Sequence, residues 1–225
     1  MQDLKHWSVS IDDANLCWLT LDVSGKSVNV LTHAVMAELG QIIDWVESQS
    51  IIAGVGMLSG KPGGFVYGAD IAEFELLATA DDVLQHMQMV HALFNRIDSL
   101  DVPTIVGIDG IAVGGGLEIA LTFDRIIATA SPKTKLGFPE VNLGILPGYG
   151  GSGRAYRRIG TAAVTQMMMS GRPLTASAAK AAGLIDQTVD DAAALQPAMT
   201  SWLTAQNRAK PHRPQRETAA DQKAL

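Results

Sequence analysis

Two glutamates and a run of three glycines supply the groups in this sequence that best suit acid–base chemistry. Glu118 comes two residues after Gly114-Gly115-Gly116, where a helix is predicted to begin. Glycines there let a ligand approach backbone N–H groups, and a helix N-terminus favours negative charge. Fixed N–H donors that stabilise a developing negative oxygen form an oxyanion hole. Close packing of a helix on a strand is the alternative use of such glycines.

Glu140 is the second candidate acid. It lies in the apolar segment 136–141, where an unpaired carboxylate is costly and desolvation raises its pKa, as suits a proton donor. Each glutamate alone also fits a structural role, Glu118 as a first-turn residue that favours the helix dipole and Glu140 as a surface acid. Their separation along the chain does not show whether the two carboxylates meet.

Two further glycine-rich segments resemble nucleotide-binding motifs only in part. Gly25-Lys26-Ser27 resembles the end of a phosphate-binding loop, but Thr20 stands where that motif requires glycine. The segment 148–153 has dinucleotide-fingerprint spacing, yet Pro147 precedes it instead of a continuous strand, and no acidic residue ends a strand about 20 residues later. We interpret this segment as a turn entering a helix, which leaves a nicotinamide-dependent dehydrogenase as a weaker alternative.

The histidines and the single cysteine indicate no metal site. His86 and His91 are five residues apart, so on a helix they diverge by about 140° and do not chelate one ion easily. The sequence has no Cys/His cluster, and we therefore predict no metal. Cys17 lies among apolar residues and is expected to be buried; one cysteine forms no internal disulfide and fits a reducing compartment.

Composition excludes several classes of partner. The 225 residues carry a net charge of −6 and 47% of them are apolar, which predicts a sizeable core and no basic face for nucleic acid. Residues 1–6 are polar and lack the apolar run of a signal peptide. No uncharged stretch reaches the ~18–20 residues that cross a bilayer. We expect a soluble, cytoplasmic protein without membrane insertion.

Strands that alternate with helices predict an α/β architecture with crossover connections. The predicted strands are Leu16–Val23, Ile52–Leu58, Pro103–Asp109 and Arg125–Thr129. The predicted helices are one capped by Thr32, one over Asp81–Leu100 with Val83, Leu84, Met87, Val90, Phe94 and Ile97 inward, and later ones over Leu117–Phe123, Gly151–Arg158, Thr161–Ser170, Thr175–Ala182 and Asp191–Gln206. We divide the chain into a core over 1–190 and a helical or linker extension over 191–225.

Three segments in register resemble the enoyl-CoA hydratase/isomerase (crotonase) family. They are Phe65–Ile71, Gly110–Glu118 and Gly137–Gly151. The resemblance covers roughly Leu16–Val189 and is closest to the amino-terminal domain of multifunctional fatty-acid oxidation α subunits, as Ser27–Leu31 and Ser131–Thr134 also indicate. It implies a ClpP/crotonase-like fold of repeated ββα units with a carboxy-terminal helical region.

The resemblance also implies the site. Backbone N–H groups of Ala69 and Gly115 would hold a thioester oxygen, while Glu118 activates water and Glu140 gives a proton to the α-carbon. The remaining residues expected at the substrate are Ser27, Val28, Gly68, Asp70, Ile71, Gly114, Leu117, Pro139 and Tyr149. The substrate would be an acyl-CoA thioester, with CoA as part of the substrate and no separate cofactor.

Besides the weaker dehydrogenase alternative, three functions remain open from the sequence. Hydration of 2-enoyl-CoA is favoured because both glutamates are present, whereas a Δ3,Δ2-enoyl-CoA isomerase needs only one. A non-catalytic CoA-ester-binding module is the alternative from another class. Family analogy adds a homotrimer, a downstream 3-hydroxyacyl-CoA dehydrogenase domain and a thiolase β subunit as partner of the whole protein.

Overall fold

The computed structural model describes residues 4–74 and 78–211, except for the side chain of Phe74. The strands are β1 (Trp7–Ile11), β2 (Leu16–Leu21), β3 (Gly54–Ser59), β4 (Gly64–Val66), β5 (Thr104–Ile108), β6 (Ile111–Val113), β7 (Arg125–Thr129), β8 (Lys135–Gly137), β9 (Leu174–Thr175) and β10 (Gln187–Val189). The α-helices are α1 (His33–Ser48), α2 (Ile71–Phe74), α3 (Ala80–Ser99), α4 (Gly115–Ala120), α5 (Gly151–Ser170), α6 (Ala176–Ala182) and α7 (Leu195–Gln206). Two 3-10 helices span Glu140–Leu143 and Ala192–Ala194.

The strands form two sheets. The larger has the order β1-β2-β3-β5-β7-β10, and all its pairs are parallel except β1 with β2. The smaller has the order β4-β6-β8-β9. Because β3, β5 and β7 are each followed by a short strand of the second sheet and then by helix, the chain repeats a ββα unit. The predicted crotonase-like α/β fold is therefore confirmed.

Helix α1 follows the sequence prediction closely. The Thr32 side chain accepts a hydrogen bond from the Val35 N–H and caps the helix. The predicted apolar stripe is buried throughout: Val35, Met36, Leu39, Ile42, Ile43 and Val46. This stripe covers one face of the large sheet and anchors the main core.

Helix α3 departs from the prediction in its first half. Val90, Phe94 and Ile97 are buried, but Val83 and Leu84 are 40% and 55% exposed. The prediction that these two face inward is wrong. The first turns of α3 extend beyond the core, since the buried residues of this helix all lie in its later turns.

Helix α7 covers the opposite face of the large sheet. Leu195, Met199 and Leu203 pack there with Trp18 and Ile105. The helix lies so close that a methyl group added at Gly107 would approach the Met199 sulfur to 2.6 Å. The core therefore continues beyond the predicted boundary at 190, to the end of α7. Of the predicted linker, residues 212–225 lie outside the described residues.

Asn29 ties the loop after β2 to the second sheet. Its buried side chain accepts from the Val23 N–H and donates to the carbonyl oxygens of Leu21 and Phe65. The Asn29 carbonyl accepts from the Tyr67 N–H at 2.9 Å, two residues before Ala69. One side chain thus fixes the path of the chain towards the site described below.

We expect Asn29→Ala to lower the free energy of unfolding by about 2–4 kcal/mol, because at least two buried backbone groups lose their partner at ~1–3 kcal/mol each. Urea denaturation measures this change. Asn29→Asp, which has the same shape but cannot donate, should destabilise at least as much. A neutral effect of Asn29→Asp would contradict the importance of the two donated bonds.

Candidate active site

A cavity of about 140 Å³ lies between the segment after β4, the start of α4, the 3-10 helix at Glu140 and the turn before α5. Most of the predicted site residues line it, namely Gly68, Ala69, Ile71, Gly114, Gly115, Glu118, Pro139, Glu140 and Tyr149. The two glutamates, which sequence spacing could not place together, share this cavity. The other lining residues were not among the predicted site residues: Tyr67, Met87, Leu143, Ile145, Leu146 and Gly148.

The Ala69 N–H points away from its neighbouring strand segment and towards Gly115. The Gly68 carbonyl accepts from the Leu31 N–H at 2.8 Å. In a planar trans peptide the C=O and the following N–H point in opposite directions, so the Ala69 N–H faces the other side. On that side, a methyl group placed on Gly115 would lie 3.3 Å from the Ala69 nitrogen.

The planar peptide geometry also directs the Gly115 N–H towards the cavity, where it can donate to a bound molecule. The Gly114 carbonyl accepts from the N–H groups of Leu117 and Glu118, so the Gly115 N–H points out of the helix start. The first N–H groups of a helix have no partner within the helix. Gly115 and Ala69 therefore present two backbone donors to one point of the cavity wall.

Gly114 and Gly116 allow this arrangement for different reasons. Gly114 has φ 54° and ψ −130°, a conformation that side chains disfavour, and a methyl group there would lie 2.9 Å from Glu140 Oε1. A methyl group at Gly116 would lie 2.1 Å from the Val66 carbonyl oxygen. Gly116 thus allows close packing on β4. The approach of a ligand to the Gly115 N–H stays a prediction.

Glu118 is held by the turn that precedes α5. Its carboxylate oxygen Oε1 accepts hydrogen bonds from the N–H groups of Tyr149 and Gly151, both at 2.8 Å. The side chain is 2% exposed, and burial raises its pKa from 4.5 to about 7 despite these two bonds. The sequence analysis expected the start of α4 to favour the ionised form; burial outweighs that effect, and the donors come from the start of α5 instead.

This raised pKa makes stability depend on pH. A carboxyl group with a folded-state pKa near 7 binds its proton more tightly when folded, so its stabilisation is full below the unfolded value and is lost as pH rises through 7. Relative to Glu118→Gln, we expect the wild type to lose about 2–3 kcal/mol of unfolding free energy between pH 5 and pH 8. Urea unfolding of both proteins at the two pH values measures this; a constant difference would contradict the raised pKa.

Glu140 faces the same cavity from the 3-10 helix that it begins. It is buried, and its Oε2 has no hydrogen-bond partner among the described residues. Burial raises its pKa above the ordinary value. A buried carboxyl with an unpartnered oxygen beside two free amide donors can transfer a proton to or from a bound molecule.

Comparison with known proteins identifies the family of this chain. The family model for enoyl-CoA hydratase/isomerase matches residues 12–221. The chain belongs to the enoyl-CoA hydratase/isomerase family. Among curated proteins, the fatty acid oxidation complex subunit alpha of Shewanella halifaxensis is 35% identical over 206 residues, and that of Shewanella loihica is 37% identical over 206 residues. Both alignments cover 92% of this chain but only 29% of the relative, so the chain spans less than a third of their length.

Solved structures show the same fold. An enoyl-CoA hydratase of Bacillus anthracis is 28% identical with a TM-score of 0.81, covering 89% of this chain and 76% of the other. A structure from Geobacillus kaustophilus HTA426 is 25% identical with a TM-score of 0.85, covering 92% and 76%. The crotonase-like arrangement therefore extends over nearly all of the chain.

The loop that the family resemblance places beside CoA lies next to the cavity without lining it. Ser27 is exposed and Val28 is partly exposed. The neighbouring Lys26 forms an ion pair with Asp70, with its Nζ 2.5 Å from Oδ2. This pair lowers the pKa of Asp70 and joins the loop to the segment that carries Ala69. Asp70 thus connects the loop and the site instead of lining the cavity.

Leu117 lies elsewhere than the family resemblance implied. It is fully buried in the main core and is not one of the residues that line the cavity. The side chain points away because Glu118, its neighbour on α4, points towards the cavity.

The turn before α5 is an essential part of the site, although its spacing alone indicated only a helix entry. His91 Nε2 donates to the Gly148 carbonyl at 2.6 Å, and Arg154 donates to the Tyr149 carbonyl at 3.1 Å. These contacts fix the two N–H groups that hold Glu118. In the sequence, only the family motif indicates that this turn belongs to the site, because His91, which contacts the turn, lies on a helix far away along the chain.

Within residues 4–74 and 78–211, no group of three or more His, Cys, Asp or Glu side chains is arranged to hold a metal ion. None of the helices in this part of the chain is both long and apolar enough to pass through a membrane. Cys17 is buried, as predicted, and burial raises its thiol pKa to about 12.

Proposed function

We propose that the chain is an enoyl-CoA hydratase, which adds water across the double bond of 2-enoyl-CoA thioesters in fatty-acid β-oxidation. One observation carries this proposal: two free backbone donors and two buried carboxyl groups line one cavity. The donors suit the oxygen of a thioester, which becomes negative as a nucleophile adds to the β-carbon. The carboxyl groups suit the two proton transfers that hydration requires.

The proposed mechanism gives each group one role. The N–H groups of Ala69 and Gly115 hold the thioester oxygen and stabilise its enolate-like charge. Each of these donors lowers the activation barrier by about 3 kcal/mol. Glu118, with Oε1 fixed, uses its other oxygen to orient and deprotonate water. A pKa near 7 leaves a large ionised fraction at neutral pH and suits a general base.

Glu140 completes the proton balance. Burial raises the pKa of Glu140 and so favours its protonated form, which would donate a proton to the α-carbon as the water oxygen bonds to the β-carbon. After one turnover Glu118 holds a proton and Glu140 has lost one, so a proton must pass back before the next cycle. Because the two groups share one cavity, their titration is expected to be coupled.

The direct test is loss of conjugated-thioester absorbance when the purified chain is mixed with crotonyl-CoA. Turnover supports hydration. Binding of butyryl-CoA without turnover of crotonyl-CoA would make this chain a CoA-ester-binding module and would contradict the proposed activity for it.

A Δ3,Δ2-enoyl-CoA isomerase is the second candidate, supported by the unpartnered Oε2 of Glu140, since this reaction shuttles one proton with one carboxylate. A 3-enoyl-CoA substrate would then gain conjugated absorbance. An isomerase that relies on one glutamate would keep activity when the other becomes glutamine. Hydration would lose activity with either substitution.

For the whole protein, the relatives support a wider proposal. The matched relatives are alpha subunits of fatty acid oxidation complexes. From the family resemblance we propose that the whole protein acts in the cytoplasm and continues into a 3-hydroxyacyl-CoA dehydrogenase domain, with a thiolase β subunit as partner. A homotrimer of the hydratase part is the alternative assembly. Hydration transfers no electrons, so the proposed step requires no redox cofactor.

A further inference from the structure

Arg154 is a buried cation near Glu118 to which the proposed mechanism gives no role. It lies in the first turn of α5 and is 8% exposed. Burial and the positive end of the helix dipole both disfavour a cation at this place. Burial lowers the pKa of Arg154, and Arg157 adds to this effect, whereas Glu118 opposes it. A guanidinium nevertheless stays ionised in proteins, so the positive charge is permanent.

The guanidinium of Arg154 is held on both sides. On the inner side, Nη1 donates to the Tyr149 carbonyl at 3.1 Å, and a methyl group added at Gly150 would lie 2.7 Å from the same nitrogen. On the outer side, Nη2 donates to Asn95 Oδ1 at 2.8 Å and Nε lies 3.4 Å from Asp98 Oδ2. The planar group thus bridges α3 and the turn before α5.

One face of α3 supplies this outer support. His91, Asn95 and Asp98 are four and three residues apart, so they lie on the same side of the helix. His91 donates to the Gly148 carbonyl, while the other two accept from the guanidinium. The turn that binds the catalytic carboxyl group is therefore tied to α3 from outside the cavity.

The groups around Glu118 act on its ionisation in opposite directions. Burial is the main cause that raises its pKa, and Glu140 in the same cavity adds to the increase. The two amide hydrogen bonds and the charge of Arg154 lower it. The remaining titratable neighbour, Tyr149, bonds to His86 through its hydroxyl, and burial raises the pKa of this phenol, which stays neutral. Arg154 is thus the cation that offsets Glu140.

We propose that Arg154 is a positioning residue for the general base: its planar guanidinium fixes the turn that binds Glu118, and its permanent charge keeps that carboxylate ionised at neutral pH. This inference rests on the proposed function and adds a residue to it. Arg154 acts through Glu118 and not on the substrate, because its donors point to α3 and to the Tyr149 carbonyl.

The first test is the titration of Glu118 itself. It is read from the side-chain carboxyl resonance of protein labelled with ¹³C-glutamate and is assigned with Glu118→Gln. Arg154→Gln should raise the pKa of Glu118 by about one pH unit, the lower end of the effect of a nearby opposite charge. Arg154→Lys keeps the charge but not the planar fork, so it should raise this pKa by less than about half a pH unit.

Arg158→Gln and Arg158→Lys are the matched controls. Arg158 lies one turn later on α5, is also 8% exposed and pairs with Asp186. These variants should destabilise the fold and leave the titration of Glu118 unchanged. An unchanged titration in Arg154→Gln, or an equal increase in Arg154→Gln and Arg154→Lys, would overturn the proposal. If Arg154→Gln does not fold, Arg154→Lys decides, and an increase above about half a pH unit would overturn the proposal.

Turnover separates this inference from the proposed function. With crotonyl-CoA, the lower limb of the kcat/KM profile should lie near pH 7 in the wild type and about one pH unit higher in Arg154→Gln. A role in folding alone would lower kcat without moving this limb. The expected titration without any hydration would overturn the hydratase and leave the role of Arg154 at Glu118 standing. Hydration with an unmoved limb would support the hydratase and overturn the inference.

Discussion

Glu118→Gln and Glu140→Gln are each expected to reduce kcat for crotonyl-CoA hydration by about 10²- to 10⁴-fold, the usual contribution of a positioned general acid or base. Glutamine at 118 can still accept the two amide hydrogen bonds of Tyr149 and Gly151 through its carbonyl oxygen. It cannot take a proton from water. The loss therefore reports chemistry and not a collapsed turn.

Binding of butyryl-CoA should change little in both variants, because the thioester oxygen is held by backbone donors. Crotonyl-CoA absorbance measures kcat, and calorimetry measures the butyryl-CoA affinity. Glu47→Gln is a suitable control, since this exposed carboxylate pairs with Arg96 away from the cavity. Retention of more than a tenth of wild-type kcat by Glu118→Gln would show that Glu118 is not the base.

Gly116→Ala is expected to lower kcat by about 10²- to 10³-fold, comparable to loss of one oxyanion donor. The added methyl group would lie 2.1 Å from the Val66 carbonyl oxygen and 2.7 Å from its carbon. These are backbone atoms, which cannot rotate away as the end of a side chain can, so the start of α4 must move away from β4. This movement separates the Gly115 N–H from the Ala69 N–H, and overpacking costs about 1–3 kcal/mol of stability.

Gly153→Ala is the matched control, because Gly153 is an exposed helical glycine with nothing within 4 Å of an added methyl group. It should be neutral or slightly stabilising. Thermal unfolding and crotonyl-CoA kinetics on both variants separate stability from activity. Wild-type kcat in a folded Gly116→Ala protein would show that the close approach of α4 to β4 does not set the donor geometry.

The sequence was enough to predict the elements that are long enough to show a periodic apolar pattern, and the residues that belong to motifs. Helix α1 shows its apolar stripe and its cap directly in residues 32–46. Strands β4, β6 and β8 contain only three residues each, too few for an alternating pattern. The second sheet therefore followed from the family resemblance and not from periodicity.

The environment of Glu118 could not be derived locally. Its position in α4 suggested an ionised acid at a helix start, whereas its donors come from the turn before α5 and its burial comes from the surrounding core. Val83 and Leu84 show the opposite case, since they were predicted to be buried and are exposed. An apolar residue at a helical spacing predicts a face, but not whether anything in the chain covers that face.

Glu118 is anchored by main-chain N–H groups, which every residue type except proline provides. At position 149 the anchor is therefore independent of the side chain, so another residue in place of the tyrosine would still supply the N–H that holds Glu118. Position 151 has no such freedom, because any side chain there would collide with Glu118, 2.3 Å from its Cγ. The same turn thus contains, two positions apart, one anchoring residue whose side chain is not part of the anchor and one where no side chain fits.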